Sequence, residues 1–408
     1  MNSSPWLSII GIGEDGLDGL SSPARALIEG AATLIGGERH LALAPNGDAE
    51  RLTWESPLSN TLDAIAARKG SPVVVLASGD PMQYGIGVAL AKRFEADEIQ
   101  VFPVAGAVSL ACARLGWDVA GAEVVTLHGR PLALLYGWLR PAARLLILSE
   151  DGGTPAEIAS ALTSSGYGES PITVFEHLGG EKETRLEARA SAWERQKCAD
   201  LNIVALECRA DNDARPLPLI PGLRDDAFHH DGQITKRVVR AATLAALMPF
   251  PRSLLWDVGA GAGSVAIEWL RCETTAGAIA FERHPARAER ITENANRLGV
   301  PRLQVVVGDA PDVLVQAAND GAAPDALFLG GGLATPGMIE ACWSALKPGG
   351  RLVANAVTEK SADLLTAFAA RHGGSLTRIA VSHASPGTDD ADWQGRLAVT
   401  QLIAGKPQ

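Results

Sequence analysis

The stretch Trp256-Asp257-Val258-Gly259-Ala260-Gly261-Ala262-Gly263-Ser264 is where this sequence is best equipped to hold a ligand. A strand-like segment ends in a carboxylate, three glycines alternate with small residues, and Val265-Ala266-Ile267-Glu268 continues as the start of a helix. Backbone without side chains can pass close beneath a ligand, and a helix starting there aims free amide donors at an anionic group. The dinucleotide form G-x-G-x-x-G is not met, because Ser264 follows Gly263 directly, so a closely related ligand is implied. The acid expected on ribose hydroxyls is Glu282, which closes Ala278-Ile279-Ala280-Phe281. A literal G-x-G-x-x-G does occur at Gly11-Ile12-Gly13-Glu14-Asp15-Gly16, behind Leu7-Ser8-Ile9-Ile10. No helix follows it at once, since the cap and first-turn proline come only at Ser22-Pro23, and a dinucleotide site requires that context.

The elements that must position these residues fall into two halves. A chain of 408 residues exceeds what one core organises, and two domains of about 200 residues are expected. The prolines and charges between Arg209 and Asp226 place a domain at 1–212, a linker at 213–226 and a domain at 227–408. In the first half, strands at 32–35, 73–77, 99–103, 123–127 and 145–148 alternate with connecting segments that include a helix at 107–115. Later strands at 172–177 and 202–206 flank a polar hairpin or loop at 181–184, which fits two α/β subdomains with a cleft between them. The second half repeats β-α-β: strands ending at Asp257 and Glu282, a helix at 286–298, and strands at 304–307, 326–329 and 352–357. Right-handed crossovers then give a Rossmann-like, doubly wound parallel sheet. Two tail strands, 376–382 and 396–402 with no helix between them, add an antiparallel edge in the manner of class I methyltransferases. Ahead of this core, Thr235 is expected to cap a helix whose inner side holds Val238, Val239 and Ala242. Lys236, Arg237 and Arg240 crowd its first turns against the helix dipole, which points to an anionic partner.

Hydrophobic residues make up 47% and charged residues 20%, as in ordinary globular domains. No apolar run reaches the ~18 residues needed to span a bilayer, and no basic region precedes the first apolar stretch, so no membrane association and a cytoplasmic location are expected. Cys112, Cys198, Cys208, Cys272 and Cys342 are scattered without a C-x-x-C pair, which indicates neither disulfides nor a metal. The net charge is −11, most of it before residue 215, and without a dense Lys/Arg run nucleic acid is not an expected partner.

Ile10-Gly11-Ile12-Gly13, Gly36-Gly37-Glu38-Arg39-His40, Ala77-Ser78-Gly79-Asp80-Pro81-Met82-Gln83-Tyr84-Gly85 and Leu127-His128-Gly129-Arg130 come in the order of the signatures of the tetrapyrrole methylase family, whose precorrin branch residues 5–210 resemble. One departure is the single Ser109 where the family often has a serine pair. Residues 226–405 resemble the decarboxylating precorrin methyltransferase family, through Gly232-Gln233-Ile234-Thr235-Lys236-Arg237, the glycine turn and Val353-Ala354-Asn355-Ala356-Val357. The resemblances imply two S-adenosylmethionine sites and no metal. One would use Gly11, Gly13, Ser78, Gly79 and Asp80; the other Thr235, Gly259, Ala260, Gly261, Ala262, Gly263, Glu282, Asp309 and Ala310. They further imply an enzyme of cobalamin biosynthesis that methylates a precorrin at C5 and C15, decarboxylates the ring C acetate at C12, and self-associates.

Methyl transfer from a sulfonium to an electron-rich ring carbon needs no protein nucleophile, and the conjugated ring can accept the electrons released by decarboxylation. No acid–base dyad is recognisable, and no catalytic residue is assigned. A polycarboxylate substrate calls for local cations: Lys236, Arg237, Arg240, Arg283 and His284 in the second half, His128 and Arg130 in the first. Gly330-Gly331-Gly332 leaves room for a flat ring, and Asn355 belongs to the substrate side by the resemblance. The competing reading is a tRNA or RNA methyltransferase acting through the second half, with a non-catalytic first half. The low basic charge and the lack of an Asn/Asp-Pro-Pro-Tyr/Phe loop after Leu329 oppose it.

Overall fold

The computed structural model describes residues 5–321, 323–384 and 393–408. They separate into one unit ending at Leu132 and resuming with Arg140–Arg215, and a second made of Ala133–Leu139 and Pro216–Gln408.

The first unit begins with β1 (Leu7–Ile12), α1 (Ser22–Glu29), β2 (Thr33–Ile35), α2 (Glu38–Leu43), β3 (Glu50–Leu52), α3 (Leu58–Ala66), β4 (Val73–Ser78), α4 (Ile86–Arg93) and β5 (Ile99–Phe102). The strands form a parallel sheet in the order β3-β2-β4-β1-β5. Ile10 and Ile12 enter the core on one face of β1 while Leu7 and Ile9 enter that on the other, as a parallel sheet covered on both faces requires. Ser21, rather than Ser22, caps α1, accepting from Ala24 N at 3.4 Å. After α5 (Ala107–Leu115) come β6 (Glu123–Thr126), β7 (Arg144–Leu148), α6 (Thr154–Ser164), β8 (Pro171–Glu176), β9 (Thr184–Arg189) and β10 (Asn202–Glu207). This second sheet runs β6-β7-β10-β8-β9, parallel only between β6 and β7. The sequence reading lacks β3 and β9, which are short or polar edge strands whose side chains carry little apolar pattern.

The second unit holds α7 (Arg237–Leu247), β11 (Leu254–Val258), α8 (Ser264–Cys272), β12 (Gly277–Glu282), α9 (Pro285–Arg297), β13 (Gln304–Val307), α10 (Asp312–Asn319), β14 (Ala326–Leu329), α11 (Met338–Ala345), β15 (Arg351–Ala356), α12 (Glu359–His372), β16 (Ser375–Ile379), the short pair β17 (Ser382–Ala384) and β18 (Trp393–Gly395), and β19 (Val399–Gly405). The sheet order is β13-β12-β11-β14-β15-β19-β16, parallel from β13 to β15, with β19 antiparallel to both neighbours. The antiparallel strand thus lies inside the sheet and β16 forms its edge. The expected absence of a helix between the tail strands falls partly on 385–392, outside the described residues. Trp256 and Trp269 are fully buried in cores on opposite sides of β11.

The segment read as a linker is partly a wall of this unit. Leu223 is 2% exposed in its core, and Glu268 accepts from Gly222 N at 2.6 Å and Leu223 N at 3.0 Å. Residues 133–139, which the sequence reading leaves in the first domain, also belong here; a Cβ on Gly137 would stand 2.9 Å from Gly299 O. Among the described residues no helix is long and apolar enough to cross a membrane.

Candidate functional site

Asp257, the penultimate residue of β11, has one carboxylate oxygen accepting from Ala266 N at 3.0 Å in the first turn of α8, while its other oxygen has no partner among the described residues. Between them Gly259, Gly261 and Gly263 have φ of +71°, +61° and +73°, a region that costs residues with a Cβ about 1–2 kcal/mol each. Each glycine also faces a different wall. A Cβ would lie 2.9 Å from Gly331 Cα at Gly259, 2.9 Å from Gln233 O at Gly261 and 2.7 Å from Ile291 Cγ2 at Gly263. Glu282, 4% exposed at the end of β12, accepts from Gly261 N at 2.9 Å and His284 N at 3.1 Å, so the turn and the acid hold each other in register.

Burial pushes the Asp257 carboxyl up to about 7, with the Ala266 amide opposing and the Glu282 charge adding to the rise. The folded state therefore holds a proton that the unfolded chain releases near 3.8. This contribution to stability is complete below that value and is lost as pH rises to about 7. Asp257→Asn is expected to flatten the decline of the second unit's urea midpoint between these limits; the same slope as wild type rejects this source.

These residues open on a cavity of about 1540 Å³. Its lining includes Thr235, Lys236 and Arg237, then Gly259, Ala260, Gly261 and Glu282, then Asp309 and Ala310, and finally Gly330, Gly331, Gly332 and Asn355. Ala262 and Gly263 are buried beneath it and serve the turn, not the lining. Gly331 meets Gly259 backbone to backbone, and a Cβ on Gly330 would strike the Phe328 ring at 2.7 Å, so part of the triple glycine is demanded by packing as well as by access.

Arg240 corrects the sequence reading: it is 0% exposed and does not line the cavity. Its Nε donates to Glu268 at 2.6 Å and Nη1 to Asp225 at 3.1 Å, with further bonds to the carbonyls of Thr235 and Leu223 and the Phe228 ring 4.8 Å away. It is the pin of the wall from Gly222 to Lys236. The helix phase explains this, because Lys236 and not Thr235 occupies the cap position, without a side-chain cap bond. Val238, expected inside, is 48% exposed and lines the cavity beside Val239. Arg237 also lines it while its Nε donates to Gly222 O at 2.9 Å. Arg283 joins the lining; His284 does not. Arg224, Arg287, His383 and Arg396 are cavity groups the sequence reading missed, since segments distant in sequence, α9 and β17 among them, deliver them and no local pattern marks them.

In the first unit the ends of β1 and β4 meet through glycine. A Cβ on Gly11 would fall 1.8 Å from Gly79 O, and one on Gly79, at φ +54°, 2.6 Å from Gly106 Cα. Gly13 is half-buried at the end of β1, and Asp80 accepts from Met82 N at 2.8 Å to shape the next loop. Ser78 Oγ lies 2.9 Å from His40 Nε2 and accepts from Arg39 Nη2 at 3.0 Å. Arg39 also pairs with Glu14, whose other oxygen is 3.1 Å from His177 Nδ1. Burial and then the Arg39 charge lower the His40 pKa to about 4, which keeps its ring neutral. Burial works against the Glu14 carboxylate, but His177 and Arg39 hold its pKa below the ordinary range. His128 is exposed, 3.3 Å from Glu150, and Arg130 stacks 5.7 Å over Tyr84 of the Gly79-Asp80-Pro81 loop. The structure thus brings Arg130 to that loop, and brings Glu14, Arg39 and His177, absent from the sequence-derived site, to Ser78.

Residues 7–192 match the family of tetrapyrrole (corrin/porphyrin) methylases, and residues 226–406 match the precorrin methyltransferase domain. The fold and both matches define a methyltransferase built from two methylase domains. The chain is 48% identical over 401 residues to the precorrin-6Y C(5,15)-methyltransferase (decarboxylating) of Sinorhizobium sp, covering 98% of this chain and 96% of that protein. A protein of the same name from Mycobacterium tuberculosis is 41% identical over 402 residues, 98% of this chain and 99% of that one. The chain belongs to the precorrin-6Y C(5,15)-methyltransferase (decarboxylating) family. Among solved structures it is similar to the C-terminal domain of precorrin-6Y C5,15-methyltransferase from Rhodobacter capsulatus, with 41% identity, TM-score 0.43, and coverage of 47% of this chain and 100% of that one.

Proposed function

We propose that the chain methylates precorrin-6Y at C5 and C15 and removes the C12 acetate carboxyl on ring C as carbon dioxide, giving precorrin-8 in cobalamin biosynthesis. S-adenosylmethionine supplies an electrophilic methyl group to each unit, with no metal taking part. The observation that carries this reading is the second unit's cavity, in which a glycine cradle and a buried ribose-type acid share one space with Lys236, Arg237 and Arg283. A Cβ at Gly259 or Gly261 would strike the backbone of Gly331 or Gln233, so only glycine lets the turn lie this close to the two walls of the cavity.

Glu282 accepts the ribose hydroxyls and the Asp309–Ala310 turn faces the adenine. Lys236, Arg237 and Arg283 bind substrate carboxylates, with Gly330–Gly332 beside the ring. In the first unit Gly11, Gly13, Ser78, Gly79 and Asp80 hold the methyl donor, and His128 with Arg130 meets the macrocycle. The methyl donor and ring carbon must be aligned, for which fixed placement can remove roughly 7 to 11 kcal/mol of barrier. The five free cysteines suit a cytoplasmic enzyme.

Incubation of the full chain with methyl-labelled S-adenosylmethionine and precorrin-6Y is expected to incorporate two methyl groups and release one carbon dioxide per substrate. Label in tRNA and none in the precorrin rejects the reading. Self-association is tested on the same preparation by light scattering, where a monomer mass rejects it.

A further inference from the structure

We infer that the second unit's cavity contains a decarboxylation subsite in which Asn355 contacts the departing carboxylate while Thr243 and Gln401 act as positioning residues. This rests on the decarboxylating reading above.

Asn355 on β15 stands opposite Gln401 on β19 in the antiparallel register. Thr243 on α7 covers them and is 0% exposed; Gln401 is 3% exposed. Thr243 Oγ1 spends its proton on Val239 O at 2.8 Å, so it can only accept from Asn355 Nδ2 at 2.9 Å and Gln401 Nε2 at 3.1 Å. Gln401 Nε2 also donates to Asn355 Oδ1 at 3.0 Å. Exchanging oxygen and nitrogen on Asn355 would set two acceptors against each other at Thr243 and two donors at Gln401. The amide therefore has one orientation, and its remaining N–H is available to the cavity that Asn355 lines.

The lining that carries Lys236, Arg237 and Arg283 also holds a group of valines. Val357 lies just past the end of β15, Val399 precedes Gln401 by two on β19, and Val238 and Val239 come from α7; all four line the cavity. Among the described residues, the side chains of the three network members bond to one another and to a backbone carbonyl, with no charged partner. A carboxylate that leaves as neutral carbon dioxide loses its charge along the way. Cations or water would stabilise its starting state more than its transition state, whereas valine walls and one amide N–H orient it without that penalty. The bond between the acetate methylene and the carboxyl carbon breaks, and its electron pair enters the conjugated macrocycle. A proton from water then completes the methyl group, so that R–CH2–COO⁻ and H⁺ yield R–CH3 and CO2.

The test uses the full chain, precorrin-6Y labelled in the ring C acetate carboxyl, and methyl-labelled S-adenosylmethionine, reading carbon dioxide released per methyl transferred at saturating substrate. Asn355→Ala, Gln401→Leu and Thr243→Val are each expected to lower this ratio about 10-fold or more, the loss of one orienting hydrogen bond. Their S-adenosylmethionine affinity should stay within about twofold, a change worth little free energy. Thr243→Ser, which keeps the hydroxyl, should restore the ratio, and the isosteric Asn355→Asp should lower it because like charges repel. A wild-type ratio in Asn355→Ala or Asn355→Asp, or a fall in Thr243→Ser as deep as in Thr243→Val, overturns the subsite. If the wild-type chain releases no carbon dioxide, the decarboxylating reading itself has failed, and that shows before any variant is compared.

Discussion

Replacing Arg240 with alanine will lower the stability of the second unit by about 3 to 5 kcal/mol, the usual cost of leaving one member of a buried ion pair without its partner. The guanidinium is 0% exposed, and the Glu268 side chain it holds at 2.6 Å is 2% exposed. Its removal leaves that carboxylate uncompensated, although Gly222 N and Leu223 N still donate to it. It also frees the carbonyls of Thr235 and Leu223, so the wall of the cavity loses its pin. Arg240→Lys should recover only part of the loss, because an ammonium cannot serve these diverging acceptors with a planar fork. Urea unfolding of the full chain, followed through the fluorescence of buried Trp256 and Trp269, measures the effect. An unchanged midpoint in Arg240→Ala would return Arg240 to the ligand-binding side.

Glu282→Ala is expected to weaken S-adenosylmethionine binding at the site proposed for the second unit by roughly 100-fold or more, since each hydrogen bond to a charged acceptor contributes about 1.5 to 3 kcal/mol and the proposal gives Glu282 two ribose hydroxyls. The truncation also orphans Gly261 N and His284 N, which loosens the glycine turn as the ligand contact is lost. Glu282→Gln should fall between, because one oxygen remains to accept. Isothermal titration of the full chain distinguishes the two sites, and the first unit's affinity should stay as it was. Wild-type binding at both sites in Glu282→Ala would exclude Glu282 from the ligand.

The glycine turn and Glu282 were legible in the sequence because their constraints are local: each alternate residue must adopt a left-handed backbone, and the acid ends the next strand. Arg240 was not legible. Whether Lys236, Arg237 or Arg240 turns inward depends on helix phase, and a cap shifted by one residue sends Arg240 toward Glu268 on another helix and leaves Val238 exposed. The stretch before Asp226 announced a boundary through its prolines and charges, yet its folding onto the second unit rests on acceptors such as Glu268 that lie some way along the chain. In the first unit the Gly11 and Gly79 motifs were visible separately. Their backbone contact is a property of neighbouring β1 and β4. Arg224, Arg287 and Arg396 carry no signal of their own, and only tertiary structure gathers them around one cavity.

The place of β19 between β15 and β16 also bears on how the protein is made. A ribosome delivers β15 and β16 before the strand that joins them, and domains emerging first tend to fold first. During translation the first unit can be complete while β15 still offers an open edge to other nascent chains, a template for aggregation. A stall before Val399 would leave that edge open and withhold Gln401 as well, so the methyl-donor cradle would precede the decarboxylation subsite in order of birth.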